Sequence, residues 1–370
     1  MKRFFVLLGS ALLALAVLAG VGVYATTRIE AFGAAPNGAL LQRMQRSPHY
    51  RAGAFHNLEP THKLEPGTFW SMLHHQFFGE EERVPKKPIR VESRNTRDYD
   101  DGPGSGLRAT WIGHASVLIE IDRRRVLVDP VFGARCSPVD WAGPERFFAP
   151  PIALDALPSI DAVAISHDHY DHLDMDTVRF LGARGSHFFV PLGIGAHLRR
   201  WGIAESLIHN LDWYESAELK DLQLTATPAR HYSGRGVLDA DRALWASWSI
   251  AGPQHRVFFS GDSGYSAEFK RIGEQFGPFD LTLIKIGASD RTWRQIHMQP
   301  EEAVRTHQDV RGRFLLPVHW GTFNLAYHAW NEPAERLFVR AMEQGVAFAV
   351  PRPGAWVEPG VSEPRDPWWR

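Results

Sequence analysis

Short runs of apolar residues recur along the chain from residue 107 onward, and glycine, proline and aspartate separate them. The runs are rich in β-branched and aromatic residues, which is typical of strands; they cover residues 108–112, 117–121, 126–128, 162–165, 188–191, 222–227, 246–250, 257–260, 281–286 and 314–318. Helical patterns predict four helices: one that begins after Asp174, one over 195–201, one that begins at Pro300 after Gln299, and one over 333–344. Early strands with later interleaved helices predict an α+β fold in which helices cover two packed sheets.

The N-terminal segment differs from the rest of the chain because residues 4–24 carry no charge. The run is long enough to span a bilayer as a helix at about 1.5 Å per residue, and Lys2 and Arg3 precede it. We therefore expect residues 1–25 to be an uncleaved membrane anchor, with the domain outside the cytoplasm, on the periplasmic side in a bacterium. A secretory signal cleaved after Val23-Tyr24-Ala25 is the alternative.

Residues 26–105 form a lead-in segment with several prolines, charge clusters and few periodic runs. We expect this segment to pack on the domain that covers residues 106–360. A short amphipathic helix is expected over 70–78. Four aromatic residues stand there: Phe69, Trp70, Phe77 and Phe78. They leave two interpretations open, a contact with a membrane or, as the expected case, ordinary packing.

Composition excludes some classes of function. The formal net charge of −1 gives no electrostatic support for nucleic acid as a partner. Cys136 is the single cysteine, so the chain holds neither an internal disulfide nor a cysteine-rich zinc module.

One polar stretch directly follows the predicted strand 162–165 and reads His-x-His-x-Asp-His, as His167, His169, Asp171 and His172. Imidazole and carboxylate groups are the usual ligands of zinc and similar divalent ions. Alternate side chains on a strand share a face, so His167 and His169 would project together. Asp171 and His172 lie beyond the strand end and can turn toward a second ion.

Three further candidate ligands each lie just beyond another predicted strand: His231, Asp262 and His319. Strand ends at one edge of a sheet converge, so these residues can meet over the histidine-rich loop. The sequence therefore predicts a centre for two divalent metal ions, with zinc as the expected metal.

The order of these ligands resembles that of the metallo-β-lactamase superfamily. The resemblance implies a four-layer αββα sandwich. It implies that His167, His169 and His231 hold one ion and that Asp171, His172 and His319 hold the other. It also implies that Asp262 bridges both ions together with a hydroxide.

Within that superfamily the chain is similar to the N-acyl-phosphatidylethanolamine-hydrolysing phospholipase D family over about residues 107–350. The similarity rests on short blocks at 110–116, 129–132, 143–147, 191–193, 211–213, 245–248, 261–265, 276–281, 300–303 and 319–323. It implies a phosphodiesterase that releases phosphatidic acid and an N-acylethanolamine. A phospholipid substrate and a membrane are thus the expected partners, and a homodimer is left open.

Catalytic roles fall to Asp171 and Asp262, which hold the ions, and to His297, which lies ahead of the helix that opens at Pro300. His114 is a further candidate for orienting a ligand or contacting the phosphate. Trp213, Trp245 and Trp248 could line an acyl groove, although tryptophans in such positions more often pack in the core.

Alternatives from other classes remain open at this stage. One is a different hydrolase on the same fold, such as a lactonase, thioesterase, nuclease or lactamase. The other is a non-catalytic, membrane-tethered binding protein, which a lost ligand would indicate, and no ligand is lost.

Overall fold

The computed structural model describes residues 2–370, apart from the side chains of residues 2, 4–6, 8, 19, 23 and 25–27. Within this part the α-helices are α1 Lys2–Arg28, α2 Gly38–Arg46, α3 Phe69–Phe78, α4 Met175–Ala183, α5 Gly195–Arg200, α6 Glu268–Phe276, α7 Pro300–Asp309 and α8 Glu332–Glu343. The strands are β1 Tyr50–Arg51, β2 Ala54–Phe55, β3 Leu107–Gly113, β4 Ser116–Ile121, β5 Arg124–Val128, β6 Ala162–Ala164, β7 His187–Pro191, β8 Ile208–Leu211, β9 Ser216–Leu219, β10 Leu222–Thr227, β11 Ser247–Ala251, β12 Arg256–Phe259, β13 Leu281–Lys285, β14 Leu315–Val318 and β15 Trp356–Val357.

Two mixed sheets organise the molecule. The seven-stranded sheet has the order β15-β3-β4-β5-β6-β7-β8, and the six-stranded sheet has the order β14-β13-β12-β11-β10-β9. In the first sheet β5, β6, β7 and β8 run parallel to one another. In the second, β12, β13 and β14 do so. The carboxyl ends of parallel strands meet at one edge, so the loops after β6, β12 and β14 are brought together there.

The main core lies between the two sheets. Val117 and Ile119 of one sheet and Leu224 and Ile250 of the other belong to one buried apolar cluster. A second cluster covers the opposite face of the seven-stranded sheet, where Leu118 packs with residues of α4 and α5. Helices α6, α7 and α8 contribute buried residues beside the six-stranded sheet. The layers are therefore helix, sheet, sheet and helix, as the αββα prediction requires.

The lead-in segment contacts the domain through directed hydrogen bonds. Trp201 Nε1 donates to the carbonyl oxygen of Glu30 at 2.8 Å, and Arg235 Nε donates to that of Ala31 at 2.9 Å. Asn57 exchanges two hydrogen bonds with the backbone of His231, at 2.8 and 3.0 Å. The segment thus reaches a loop that carries a candidate metal ligand.

The first helix covers most of the segment for which an anchor was expected. In the part of the chain that the structure describes, no helix combines the length and the apolar character needed to cross a membrane. The anchor prediction and the cleavage site at Val23-Tyr24-Ala25 fall partly on side chains outside the described residues. The described residues therefore do not support the anchor.

Strand positions predicted from the apolar runs are confirmed to within two residues at each end. From residue 107 onward the pattern missed β8, β9, β15 and α6, and in the lead-in segment it missed α2, β1 and β2. Strand β9 alternates between exposed and half-buried residues at the edge of its sheet, so it has no apolar run to reveal it. The prediction that the aromatic residues of α3 pack against the domain is wrong, because no residue of α3 is buried and Trp70 and Phe77 are 76% and 73% exposed.

Candidate metal centre

The loop after β6 carries one group of three imidazoles together with the loop after β10. His167, His169 and His231 each offer a nitrogen, and these atoms lie within 4.8 Å of one another. His167 Nε2 lies 2.9 Å and His231 Nε2 lies 3.4 Å from His169 Nδ1. Imidazole nitrogens that face one another this closely present lone pairs to a common centre, which is the donor arrangement of a divalent cation.

A second group lies beside the first. His114, Asp171, His172 and His319 offer ligand atoms within 4.8 Å of one another. Asp171 Oδ2 lies 3.3 Å from both His172 Nε2 and His319 Nε2, and these two nitrogens are 3.1 Å apart. His319 comes directly after β14 in a left-handed backbone conformation, with φ of 64°. Such strain is uncommon for a residue with a side chain and is concentrated at functional sites.

Asp262 stands between the two groups. Its Oδ2 atom lies 3.0 Å from His319 Nε2, 3.3 Å from His172 Nε2 and 3.9 Å from His231 Nε2. The preceding Gly261 has φ of 52°, and a Cβ there would come within 2.5 Å of Ser166 Cβ. Only glycine fits this turn, which brings the carboxylate between both sets of imidazoles.

Buried hydrogen bonds orient the imidazole rings. His172 Nδ1 lies 2.6 Å from Asp129 Oδ2, and the same carboxylate accepts from the Ser166 hydroxyl at 2.5 Å. His231 Nδ1 lies 2.9 Å from the Ile296 carbonyl oxygen, which can only accept. Both Nδ1 atoms therefore carry a proton, and both Nε2 atoms face the centre, where a cation would take the place of any proton, as at metal-binding histidines.

His114 positions a carboxylate in a similar way. Its Nε2 lies 2.9 Å from Asp171 Oδ2, and its backbone N–H donates to Thr322 Oγ1 at 2.6 Å. Burial, together with nearby His319, lowers the pKa of His114 to about 3. The neutral ring thus donates a hydrogen bond to Asp171, which agrees with the orienting role considered for it from the sequence.

The charge distribution favours cations at this centre. Burial lowers the pKa of His167 and of His231 well below the usual value, so both rings are neutral and can donate lone pairs. Burial opposes ionisation of Asp262, but neighbouring His319 and His172 hold its pKa well below the usual range. At His172 burial opposes protonation, whereas Asp262, Asp171 and Asp129 raise its pKa well above normal. The buried carboxylates therefore concentrate negative charge where a cation would lie.

Two of the buried atoms without a hydrogen-bond partner among the described residues belong to candidate ligands of this centre: Asp262 Oδ1 and His319 Nδ1. A buried carboxylate oxygen without a hydrogen bond is costly, and a cation would remove part of that cost. The donor set of five histidines and two aspartates suits zinc and similar ions. His167, His169 and His231 would hold one ion, Asp171, His172 and His319 the other, and Asp262 both. Bound cations would supply Lewis acidity and lower the pKa of a water molecule.

The structure brings every predicted site residue to one place. His297 lies at its edge, with Nδ1 3.8 Å from Asp262 Oδ2. Sequence reasoning missed Asp129 and Lys285 as neighbours of the centre. Asp129 lies in the block at 129–132 that was noted only for its resemblance. Lys285 lies inside an apolar run and gave no signal as a site residue.

Core packing, the more common position expected for the three tryptophans, is confirmed, and the alternative of an acyl groove is wrong. Trp213, Trp245 and Trp248 are buried, at 5%, 2% and 0% exposure. Their Nε1 atoms donate to the backbone carbonyls of Trp245, Ala229 and Ile165. These rings belong to the core between the sheets and present no surface to a ligand.

A family model described as "Beta-lactamase superfamily domain" matches residues 124–320. The chain is also 37% identical, over 71% of its length and 77% of the relative's, to N-acyl-phosphatidylethanolamine-hydrolyzing phospholipase D 1 of Caenorhabditis elegans. The chain belongs to the metallo-β-lactamase superfamily of metal-dependent hydrolases. Within it, the chain is close to the N-acyl-phosphatidylethanolamine-hydrolysing phospholipase D family.

Further comparisons agree with this placement. An uncharacterised protein of Mycobacterium tuberculosis is 48% identical over 88% of both chains. Among solved structures, the metallo hydrolase Igni18 of Ignicoccus hospitalis superimposes with a TM-score of 0.52 at 23% identity, over 68% of this chain and 97% of its own. An isothiocyanate hydrolase from Delia radicum gut bacteria gives 0.54 at 16% identity, over 68% and 98%. These last two similarities concern the fold alone.

Proposed function

We propose that this protein is a two-zinc phosphodiesterase of the phospholipase D type. Its substrates would be N-acyl-phosphatidylethanolamine-like lipids, and its products phosphatidic acid and an N-acylethanolamine. The observation that carries the two-metal part is the position of Asp262 Oδ2, within 3.0 to 3.9 Å of ligand nitrogens from both groups. The lipid part is supported by the activity for which the relative from Caenorhabditis elegans is named.

Two side chains leave the centre partly exposed to solvent. Most ligand side chains are buried, but that of Asp171 is 16% exposed, and that of neighbouring His297 is 13% exposed. A phosphodiester is anionic and resists attack by a negative nucleophile, so a cationic centre relieves the repulsion. His297 at the exposed edge is positioned to contact an oxygen of such a substrate.

A lipid surface is the partner that this activity requires. The exposed aromatic residues of α3 support a contact with lipid, since α3 has no buried residue and its Trp70 and Phe78 are 76% and 71% exposed. Large aromatic side chains are favoured where a membrane meets water. Placement of the domain outside the cytoplasm is a separate proposal, supported by Lys2 and Arg3 ahead of the apolar run.

Hydrolysis in H₂¹⁸O tests the reaction type. Purified, zinc-loaded protein would be given N-acyl-phosphatidylethanolamine in mixed micelles, with phosphatidylcholine, a lactone, a thioester and a β-lactam in parallel. We expect ¹⁸O in phosphatidic acid, because water attacks phosphorus in this reaction. Label in a free fatty acid would show ester cleavage, and turnover of only the lactone, thioester or lactam would favour the other hydrolase classes. Either result would overturn the phospholipase D proposal.

A further inference from the structure

A buried arginine lies against the loop that carries several of the candidate metal ligands. Arg235 follows His231 by four residues and is only 4% exposed. Its Nη1 atom donates to the carbonyl oxygens of Asp168 at 2.6 Å and of Leu173 at 2.9 Å. These carbonyls stand at the two ends of residues 168–173, a stretch here called the metal loop. One side-chain nitrogen thus joins both ends of the metal loop.

Further contacts hold the guanidinium group of Arg235 in place. Its Nε atom donates to the carbonyl oxygen of Ala31, in the lead-in segment, at 2.9 Å. The group lies over the ring of Tyr170, in the middle of the metal loop, at 4.0 Å from the ring centroid. The Tyr170 hydroxyl in turn donates to the backbone carbonyl oxygen of Arg235 at 2.7 Å. Both the side chain and the backbone of Arg235 therefore contact the metal loop.

Neither packing nor charge gives another reason for an arginine at this position. Its side-chain hydrogen bonds go to carbonyl oxygens, and no carboxylate in the described part of the chain forms an ion pair with it. A buried charge without a partner of opposite sign is costly, and an apolar side chain would avoid that cost. A cation beside a metal centre also repels the metal ions. What arginine alone supplies is a planar fork of donors that spans several carbonyl oxygens at once.

The distance between the loop ends matters for the ligands between them. Inside the metal loop, the backbone N–H groups of His172 and Leu173 donate to the carbonyl oxygen of His169 at 3.1 and 2.9 Å. Without Arg235, the buried carbonyls of Asp168 and Leu173 would lose their donor, and the loop would shift to satisfy them. Metal-to-ligand distances vary by only about 0.2 Å, so even a small shift of the loop lowers metal affinity.

We propose that Arg235 is a positioning residue that holds the metal loop in the shape that binds the metal ions. It acts through the loop backbone and not through its charge. The inference rests on the metal centre and on no particular substrate, so it stands or falls independently of the phospholipase D activity proposed above.

Zinc titration of the full-length protein, started from the metal-free form, distinguishes positioning from charge. Arg235→Met removes the charge and the donors but keeps a long side chain. Loss of a cation by itself would strengthen zinc binding, whereas loss of positioning weakens it. We expect at least one ion to bind about 10- to 100-fold more weakly, the usual cost when a supporting contact of a metal ligand is lost. Unchanged or tighter binding would overturn the proposal.

Arg235→Lys separates the donor fork from the charge. Lysine keeps the positive charge but donates from a single nitrogen, so it cannot span the carbonyls of Ala31, Asp168 and Leu173 together. We expect its zinc affinity to remain about 10-fold or more below that of the unsubstituted protein. Full zinc affinity in Arg235→Lys would assign the effect to charge and would contradict the positioning role.

Arg108→Met is the matched control, because Arg108 is also a buried arginine that donates to backbone carbonyls. It donates to the carbonyl oxygens of Asp98 and Asp101, both at 3.4 Å, and to Glu120 Oε2 at 2.6 Å, at the opposite end of β3 from the metal centre. We expect this variant to lose stability, since Glu120 is left without its closest partner, and to keep zinc affinity within about twofold. A loss of zinc affinity as large as that of Arg235→Met would mean that any destabilisation weakens the centre, which also refutes a specific role.

Hydrogen exchange, read by mass spectrometry of peptides, reports the metal loop without metal and without substrate. In metal-free Arg235→Met, peptides that cover residues 168–173 should exchange about tenfold faster or more than in the unsubstituted protein, because the loop has lost charge-assisted hydrogen bonds. In Arg108→Met the same peptides should keep their protection. Equal protection of the loop in Arg235→Met and the unsubstituted protein would refute the proposal. If no phosphodiester is hydrolysed while loop protection and zinc affinity fall as expected, the proposed function fails and the positioning role of Arg235 stands.

Discussion

Asp129→Asn is the substitution that tests most directly how the centre is held together. The Asp129 carboxylate is buried and accepts from the Ser166 N–H at 2.6 Å, the Ser166 hydroxyl at 2.5 Å and His172 Nδ1 at 2.6 Å. Asparagine keeps the shape but replaces one acceptor oxygen by an NH₂ donor. If the amide oxygen stays with Ser166, the NH₂ group faces the Nδ1–H of His172, and two donors meet.

Relief of that clash would move the His172 proton to Nε2. This atom faces Asp171 at 3.3 Å and is the nitrogen expected to bind metal, so the ligand would be lost without a change of fold. Loss of a residue that orients a metal ligand typically costs about 10- to 100-fold in metal affinity. A wrong histidine tautomer costs up to about 10⁴-fold in turnover in a catalytic triad. We therefore expect kcat to fall by about 10² to 10⁴ and one of the two ions to bind more weakly.

The control is Asp122→Asn, because Asp122 also accepts three hydrogen bonds, one of them from a histidine Nδ1, and lies at the opposite end of β4 and β5 from the metal centre. Its carboxylate accepts from His255 Nδ1 at 2.6 Å and from the backbone N–H groups of Gln254 and His255 at 2.8 and 3.0 Å. Each variant loses a charge-assisted hydrogen bond, worth about 1.5–3 kcal/mol of unfolding free energy. Stability should thus fall in both, and zinc binding only in Asp129→Asn.

The assays are urea unfolding, zinc competition with a chromophoric chelator, and turnover of the diester. Undiminished zinc affinity and turnover in Asp129→Asn would refute the tautomer argument. Equal losses of zinc in both variants would instead attribute the effect to general destabilisation.

Three further outcomes follow from the geometry. Protein purified without chelator should carry close to two divalent ions, and an element analysis that finds no metal would contradict the centre. Asp262→Asn should lower kcat by at least about 10²-fold while the fold persists, and unchanged turnover would contradict the role of Asp262. Burial lowers the pKa of His307 to about 4, so between that pH and about 6.5 the unfolded chain binds more protons than the folded one. The free energy of unfolding should therefore fall by up to about 3 kcal/mol as the pH drops through this window. His307→Gln should reduce this loss of stability, and parallel stability curves for the two proteins would disprove the assignment to His307. Added protease should digest the domain in cells whose outer layers are permeabilised and whose inner membrane is intact, and full protection would place it in the cytoplasm.

Local patterns in the sequence determined the metal-ligand loop and the strands around it. His167 to His172 are contiguous, and their spacing carries ligand chemistry whatever the rest of the chain does. Apolar runs such as 162–165 identify strands because burial on both faces of a sheet leaves an uninterrupted apolar signature, and β6 covers Ala162–Ala164. The order of the remaining ligands, each after a strand, sufficed for the two-metal prediction.

Partners that are distant in sequence were decided only by the tertiary structure. Asp129 reaches His172 across 43 residues and Asn57 reaches His231 across 174, so neither contact leaves a local pattern. The exposure of large aromatic side chains was likewise decided only by the tertiary structure. The aromatic residues of α3 remain in solvent while Trp248 is fully buried, because burial depends on which surfaces meet and not on residue type. Lys285 lies in an apolar run and acquires its contact with His297 only when β13 is held between β12 and β14.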